Sequence, residues 1–242
     1  MCQRSGVATL LSGRDSTRIL FLFKGRETLH SLCVSATHRL LGCKGCGSAI
    51  VEAAFAVARM PLEYEEVDYG AGSPTRERLL AVNPLGQVPT LVLPDGTVLT
   101  ESLAIIHYLD DLAPRAHLVP PKGDPGRLAF LRWSTFLVAA VYPTFSFGDE
   151  PAKWVEDVKG AKQLRESTDR HREAQWLRLE EIAGDPWFLG AQMCALDLYV
   201  AVMTRWRPGR KWFTANTPRL LAIGEKASDT GGVADVIKRN FG

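Results

Sequence analysis

Cys43 and Cys46 stand in C-x-x-C spacing in the run Gly42-Cys-Lys-Gly-Cys-Gly-Ser48, and Ser48 follows two residues later. Three kinds of chemistry use such a cluster. Two thiols so spaced can cycle between dithiol and disulfide, a single thiolate can act as a nucleophile, and the pair can supply half of a zinc knuckle. Zinc falls first: a structural site wants four N or S ligands, and the chain holds neither a second close cysteine pair nor a close histidine pair. No metal is expected. A hydroxyl at Ser48 adds a fourth option, a hydrogen-bond donor that lowers the pKa of a thiol brought in by a substrate.

The elements around the cluster determine which of these is possible. His38 to Cys43 reads as a short apolar strand, and Ser48 to Arg59 as a buried helix with Ser48 as its N-cap, ended by Pro61. Glu63 to Tyr69 alternates as a strand. Ser73 caps a helix whose first position is Pro74. Pro89 to Leu99 reads as two short strands about an Asp95-Gly96 turn, and Glu101 to Leu112 as a helix with Leu103, Ile105, Ile106 and Leu109 apolar. The order is βαβ, α, ββα, with the cysteines at the first strand-to-helix junction, where the helix dipole favours a thiolate.

Strand signals then stop. Residues 113–125 are a proline-rich linker, and helices are expected at about 126–147, 151–183, 195–207, 217–228 and 232–240, with breaks at Pro143, Gly184-Asp185-Pro186, Pro208-Gly209 and Gly231-Gly232. The fold class is therefore α/β plus all-α: an α/β domain over 37–112 and a helical domain over 126–242. Residues 1–36 hold only Asp15 and Glu27 as acids and share their composition with transit peptides, but read better as a poorly ordered extension.

Composition narrows the partners. A formal net charge of +2 spread without a basic stripe gives no reason to expect nucleic acid. Five cysteines without a disulfide rhythm suit a reducing compartment, and no apolar run reaches about 18 residues, so a soluble, cytoplasmic protein without a membrane partner is expected.

The run Asn83-Pro-Leu-Gly-Gln-Val-Pro-Thr, followed by a hairpin and then Glu101-Ser102 opening a helix, resembles the cytosolic glutathione transferase superfamily, over about 200 residues from Thr37 onward. That resemblance implies a thioredoxin-like first domain, a helical second domain, a homodimer, and glutathione as co-substrate. Each residue also has a physical task. Val88 before a strand leaves main-chain N–H and C=O groups for an extended peptide, and the resemblance makes the bond to Pro89 cis. Glu101 and Ser102 at a helix N-terminus suit the amino and carboxylate ends of a γ-glutamyl group. Gln87 stands where the family faces the glycyl end.

The resemblance leaves two candidates for the catalytic group. Alignment to glutaredoxin-like and omega-type patterns puts Cys46 at the reactive position and Ala49 at the resolving one, with Cys43 out of register for a dithiol cycle. A one-residue shift, as in beta-type patterns, brings Ser48 forward instead. The expected activity is conjugation of glutathione to a hydrophobic electrophile; a thiol transferase acting on disulfides through Cys46, or a non-catalytic interaction module, are the alternatives. Tyr142 and Trp206 are expected in an apolar pocket, with Phe145, Phe147, Trp212 and Phe213 as further aromatics on the same half. Asp197 is read as a capping acid behind a poor thiol cap at Cys194, and His107 as a packed residue.

Overall fold

The computed structural model describes residues 37–70 and 72–242; the extension read from residues 1–36 lies outside the described residues. Strand β1 (His38–Gly42) pairs in parallel with β2 (Leu62–Glu66) and antiparallel with β3 (Thr90–Val92), which pairs antiparallel with β4 (Val98–Thr100), in the order β2-β1-β3-β4. β1 carries Leu40 and Leu41 fully buried because it is central and covered on both faces; β2, at the edge, keeps its glutamates partly in solvent.

Helix α1 (Ser48–Ala58) is buried from Ser48 through Phe55, on every face, which its run of Ala, Ile, Val and Phe permits. α2 (Pro74–Val82) begins with Pro74 at its first position behind Ser73, as its sequence requires. In α3 (Ser102–Leu112), Ile105, Ile106 and Leu109 face the core, and Asp110 accepts the Val119 N–H at 3.0 Å, which ties the linker back onto the helix. The architecture is a thioredoxin-like sheet domain followed by a helical bundle.

The bundle departs from expectation in three places. α4 (Arg127–Phe136) and α5 (Tyr142–Asp149) are joined by a π-helical turn (Leu137–Val141), so no break occurs at Pro143. The wide turn, in which the Tyr142 N–H bonds to the Leu137 carbonyl, accommodates a proline ring and its missing donor. α6 (Val158–Ile182) starts later than 151, where Asp157 accepts the Gly160 N–H at 2.8 Å as an N-cap. A short α8 (Arg210–Asn216) follows α7 (Ala195–Met203); seven residues between two proline-containing segments are too few for a periodicity to register. α9 (Pro218–Ser228) and α10 (Val233–Phe241) complete the chain.

The joined helix Arg127–Asp149 also has the length and mean hydropathy, 1.3, of a membrane span, although polar residues interrupt its apolar run. Its Phe130, Leu137, Val141 and Phe145 are buried in the protein's own core. Beneath it, α7 is buried throughout, and Asp197 accepts the N–H groups of Cys194 at 2.8 Å and Phe188 at 2.7 Å. Burial raises that carboxyl to about 6 even against those two bonds. Asp197 ties two points of the connection before α7 to the central helix.

Candidate functional site

Strand register brings the distant motifs to one end of the sheet. Leu41 pairs with Thr90 and Thr90 with Thr100, so the residues just past these ends, Cys43 after β1, Pro89 before β3 and Glu101 after β4, are neighbours. α1 and α3 both begin at this end, and their free N–H groups and dipoles point into it.

The cysteine loop is held by bonds from every side. The Cys46 N–H bonds to the Cys43 carbonyl at 3.0 Å, closing a turn. Ser48 is fully buried; its hydroxyl accepts the Cys43 N–H at 3.0 Å and donates to the Cys43 carbonyl at 3.1 Å. Two expectations for Ser48 therefore need correcting. The N-cap position belongs to Gly47, and the Ser48 hydroxyl, committed twice to the loop's own backbone, has no opening toward a bound thiol. Ser48 fastens the loop.

Two residues from the bundle grip the loop at Gly45, whose φ of 73° suits glycine. Trp206 donates its indole N–H to the Gly45 carbonyl at 2.8 Å, and Asn240 accepts the Gly45 N–H at 3.0 Å. Asn240 also donates to Glu52 on α1 at 3.3 Å, and Arg239 pairs with the same carboxylate, so α10 holds loop and helix together. Gly47 is a position of close approach: a Cβ there would lie 2.1 Å from the Tyr142 hydroxyl oxygen.

Cys43 and Cys46 are both partly exposed, and the Cys43 thiol points to the Lys44 carbonyl at 3.6 Å. The neighbouring Cys46 side chain draws the Cys43 thiol down to about 7, against burial and the negative charge of Glu66. Cys46 is pushed well above the ordinary thiol value by its neighbour Cys43 and by burial. Of the two thiols, Cys43 is the one drawn toward neutral pH. The backbone turn from Cys43 to Cys46 passes through Gly45 at positive φ.

The Val88–Pro89 bond is cis. Its approach is fixed locally: Asn83, nearly buried, donates to the Gln87 carbonyl at 3.0 Å and to the Thr90 hydroxyl at 2.9 Å, and Thr90 donates to the same carbonyl at 2.7 Å. Gln87 keeps its side chain exposed. Across the sheet end, Glu101 adopts φ 63°, ψ 111°, a strained conformation for a non-glycine residue, and leads directly into Ser102 at the start of α3. The Ser102 hydroxyl lies 2.7 Å from the hydroxyl of fully buried Tyr199. Burial raises the Tyr199 phenol, so the pair is two neutral hydroxyls, either of which can donate to the other.

Aromatic side chains line the other flank. Tyr142 and Trp206 meet edge to face with centroids 5.5 Å apart, and Phe145 lies 5.1 Å from Trp206. The Tyr142 hydroxyl is turned toward the cysteine loop and is raised by burial, with Cys46 and Glu101 adding to the shift. Phe147 meets exposed Trp154 edge to face with centroids 4.7 Å apart, and buried Phe213 packs against Trp176 and Trp212. His107 packs against Phe130, as expected. Tyr69, 42% exposed, completes the rim: burial raises its phenol to about 12, nearby Cys46 and Cys43 add to this, and the Val88 N–H counters it. Tyr69, Asn83, Tyr199 and Asn240 all escaped sequence reasoning. Only Asn83, within the quoted motif, left a local trace.

Comparison with known proteins agrees with this arrangement. The model of the glutathione S-transferase N-terminal domain matches residues 48–112. The uncharacterized GST-like protein YncG of Escherichia coli K12 is 34% identical over 204 residues, covering 84% of this chain and 98% of its own. Glutathione S-transferase GstA of Escherichia coli O157:H7 is 28% identical over 160 residues, covering 65% and 75% respectively. Among solved structures, a glutathione transferase homolog from Sulfitobacter with bound glutathione superposes with a TM-score of 0.76 at 27% identity, over 84% of this chain and 98% of that one. With a relative 34% identical and matched over almost its whole length, this chain belongs to the glutathione S-transferase family.

Proposed function

We propose that this protein is a glutathione transferase that binds glutathione across the sheet end and activates its thiol for conjugation to an apolar electrophile. One observation carries the reading: the Val88–Pro89 edge, the Glu101–Ser102 helix start and the cysteine loop converge through strand register. Glutathione is an extended tripeptide with charge at both ends and a thiol between. Its cysteinyl backbone pairs with Val88, its γ-glutamyl carboxylate takes the Ser102 hydroxyl and the N–H groups of α3, and its amino group faces Glu101. Gln87 reaches toward the glycyl end.

This pose delivers the thiol to the start of α1. There the helix dipole and the hydrogen-bonding groups of the loop, Cys46 among them, favour the thiolate over the thiol, which is what makes glutathione nucleophilic at neutral pH. Tyr142, Phe145 and Trp206 offer an apolar flank for the electrophile. The proposal includes a homodimer, on the strength of the family alone, and a reducing cytoplasm, in keeping with free Cys43, Cys46 and Cys194.

The test is a thermal melt with and without glutathione, together with turnover on an aryl halide, for wild type, Ser102→Ala and Glu101→Gln. Glutathione at a hundredfold excess over Kd should stabilise wild type by about 2.7 kcal/mol, and each variant should lose most of that shift and of the turnover. A wild type that shows neither a shift nor turnover sinks the enzyme reading in favour of an interaction module.

A further inference from the structure

The proposed pose brings the glutathione sulfur to the start of α1, where the loop has no hydroxyl to give it. Gly45 and Gly47 carry no side chain, and buried Ser48 is bonded twice to the backbone of Cys43. A hydroxyl reaches this point from the bundle instead. A Cβ at Gly47 would lie 2.1 Å from the Tyr142 phenolic oxygen, so that oxygen takes up the space a side chain at position 47 would fill. We propose that Tyr142 is a catalytic residue whose hydroxyl donates a hydrogen bond to the glutathione sulfur, supplying from the helical domain the group that the glycine-containing loop lacks. This deepens the glutathione-binding reading, on which it rests, by naming the atom that holds the thiolate.

The placement of the ring follows from the bundle. The π turn ends at Tyr142, whose N–H bonds five residues back to Leu137; side chains beyond such a turn are rotated relative to those of a continuous α-helix, and Tyr142 is the first of them. Its ring meets Trp206 edge to face at 5.5 Å and Phe145 at 6.3 Å. Trp206 in turn donates to the Gly45 carbonyl at 2.8 Å, so ring and loop are fixed against each other and the hydroxyl is positioned in advance. The groups that face the phenol are Cys46, Glu101, Tyr69, Tyr199 and the Gly47 N–H. Cys46 and Glu101 are the ones that the pose sets beside the cysteinyl sulfur and the γ-glutamyl amino group. Burial, with those two acids, outweighs the Gly47 N–H and keeps the phenol protonated at neutral pH, as a donor must be.

The step balances. The glutathione thiol releases its proton to water, while the Tyr142 O–H keeps its own and directs it at the sulfur anion. The sulfur electron pair forms the bond to the electrophilic carbon, and with an aryl halide the halide leaves with the pair of the bond that breaks. Tyr142 ends as it began.

The experiment uses the full-length protein and follows two quantities: the ultraviolet absorbance of bound glutathione thiolate as pH is varied, and kcat/KM for an aryl halide. Tyr142→Phe removes one oxygen and keeps the ring on Trp206 and Phe145. It should retain the melting shift produced by glutathione, raise the pH at which the bound thiol ionises by about one unit, and lower kcat/KM at least tenfold. Gly47→Ser placed in the Tyr142→Phe protein hangs a hydroxyl from the loop itself; the ring carbons, 3.1 and 3.3 Å from the new Cβ, have to give by a few tenths of an ångström. That double variant should recover part of the lost rate, whereas Gly47→Ala in the same background should recover none. A role in packing alone would leave the thiol titration where it is in Tyr142→Phe. If Tyr142→Phe still binds glutathione and keeps both the wild-type titration and the wild-type kcat/KM, the catalytic assignment is overturned and the glutathione reading stands. A wild type that glutathione does not stabilise overturns both.

Discussion

Two regions meet at the sheet end, and they are held in opposite ways. The Gln87–Pro89 edge is fixed from within its own segment: Asn83 and Thr90, at most seven residues apart, supply the bonds that shape it. The cysteine loop is fixed from far away, by Trp206 and Asn240, which lie 161 and 195 residues from Gly45. A locally fixed edge can form whenever its strand does. The loop takes its working shape only when the bundle has docked.

This contrast gives variants that separate the two. Trp206→Ala removes the bond to Gly45 and a ring packed on Tyr142 and Phe145, so it should cost about 3–5 kcal/mol in denaturant unfolding, with Trp206→Phe retaining most of that. Near-equal losses for the two substitutions would mean that the indole bond, and not the packing, holds the loop. Asn240→Ala leaves the Gly45 N–H without its acceptor and the buried Glu52 carboxylate with Arg239 alone, which should cost about 2–3 kcal/mol. Its effect on function should fall on Cys43 alkylation and spare the melting shift produced by glutathione.

Asn83→Ala is the mirror experiment. Removing its donated bonds should cost about 1–2 kcal/mol and weaken glutathione binding, with the alkylation rate of Cys43 unchanged. If alkylation falls as far as binding, the two regions are coupled and the contrast drawn above is wrong.

The smallest effect is a matter of pH. A Cys43 thiol lowered to about 7 is mostly protonated below that pH and mostly thiolate above it, so its alkylation rate should climb as pH rises through 7. Cys46→Ala removes the neighbour that is the chief cause, and the midpoint should move upward toward the ordinary thiol range near 8.5. A midpoint that stays put would assign the shift to the start of α1 instead.

The same division governs how much the sequence disclosed. The order βαβ, α, ββα was legible because each element carries its own mark: Pro74 opening α2, the Asp95-Gly96 turn between β3 and β4, and Ile105, Ile106 and Leu109 on one face of α3. The edge was legible too, since Val88, Pro89, Glu101 and Ser102 form a motif within 15 residues. Ser48 was misread because a serine at the start of a helix looks the same whether it caps the helix or, as here, turns back onto Cys43. Pro143 was misread because a proline signals a break in any local reading, while a π turn lets the helix continue.

By itself, then, the sequence determined the elements, the thioredoxin-like order and the chemistry available at three separate points of the chain, because propensity, periodicity and turn residues act over a few neighbours. Only the tertiary structure decided that Trp206 holds Gly45, that Tyr199 backs Ser102, and that α10 closes on the loop through Asn240. Those contacts join residues up to 195 positions apart, and nothing in the local spacing of either partner encodes where the other will lie once the bundle packs against α1.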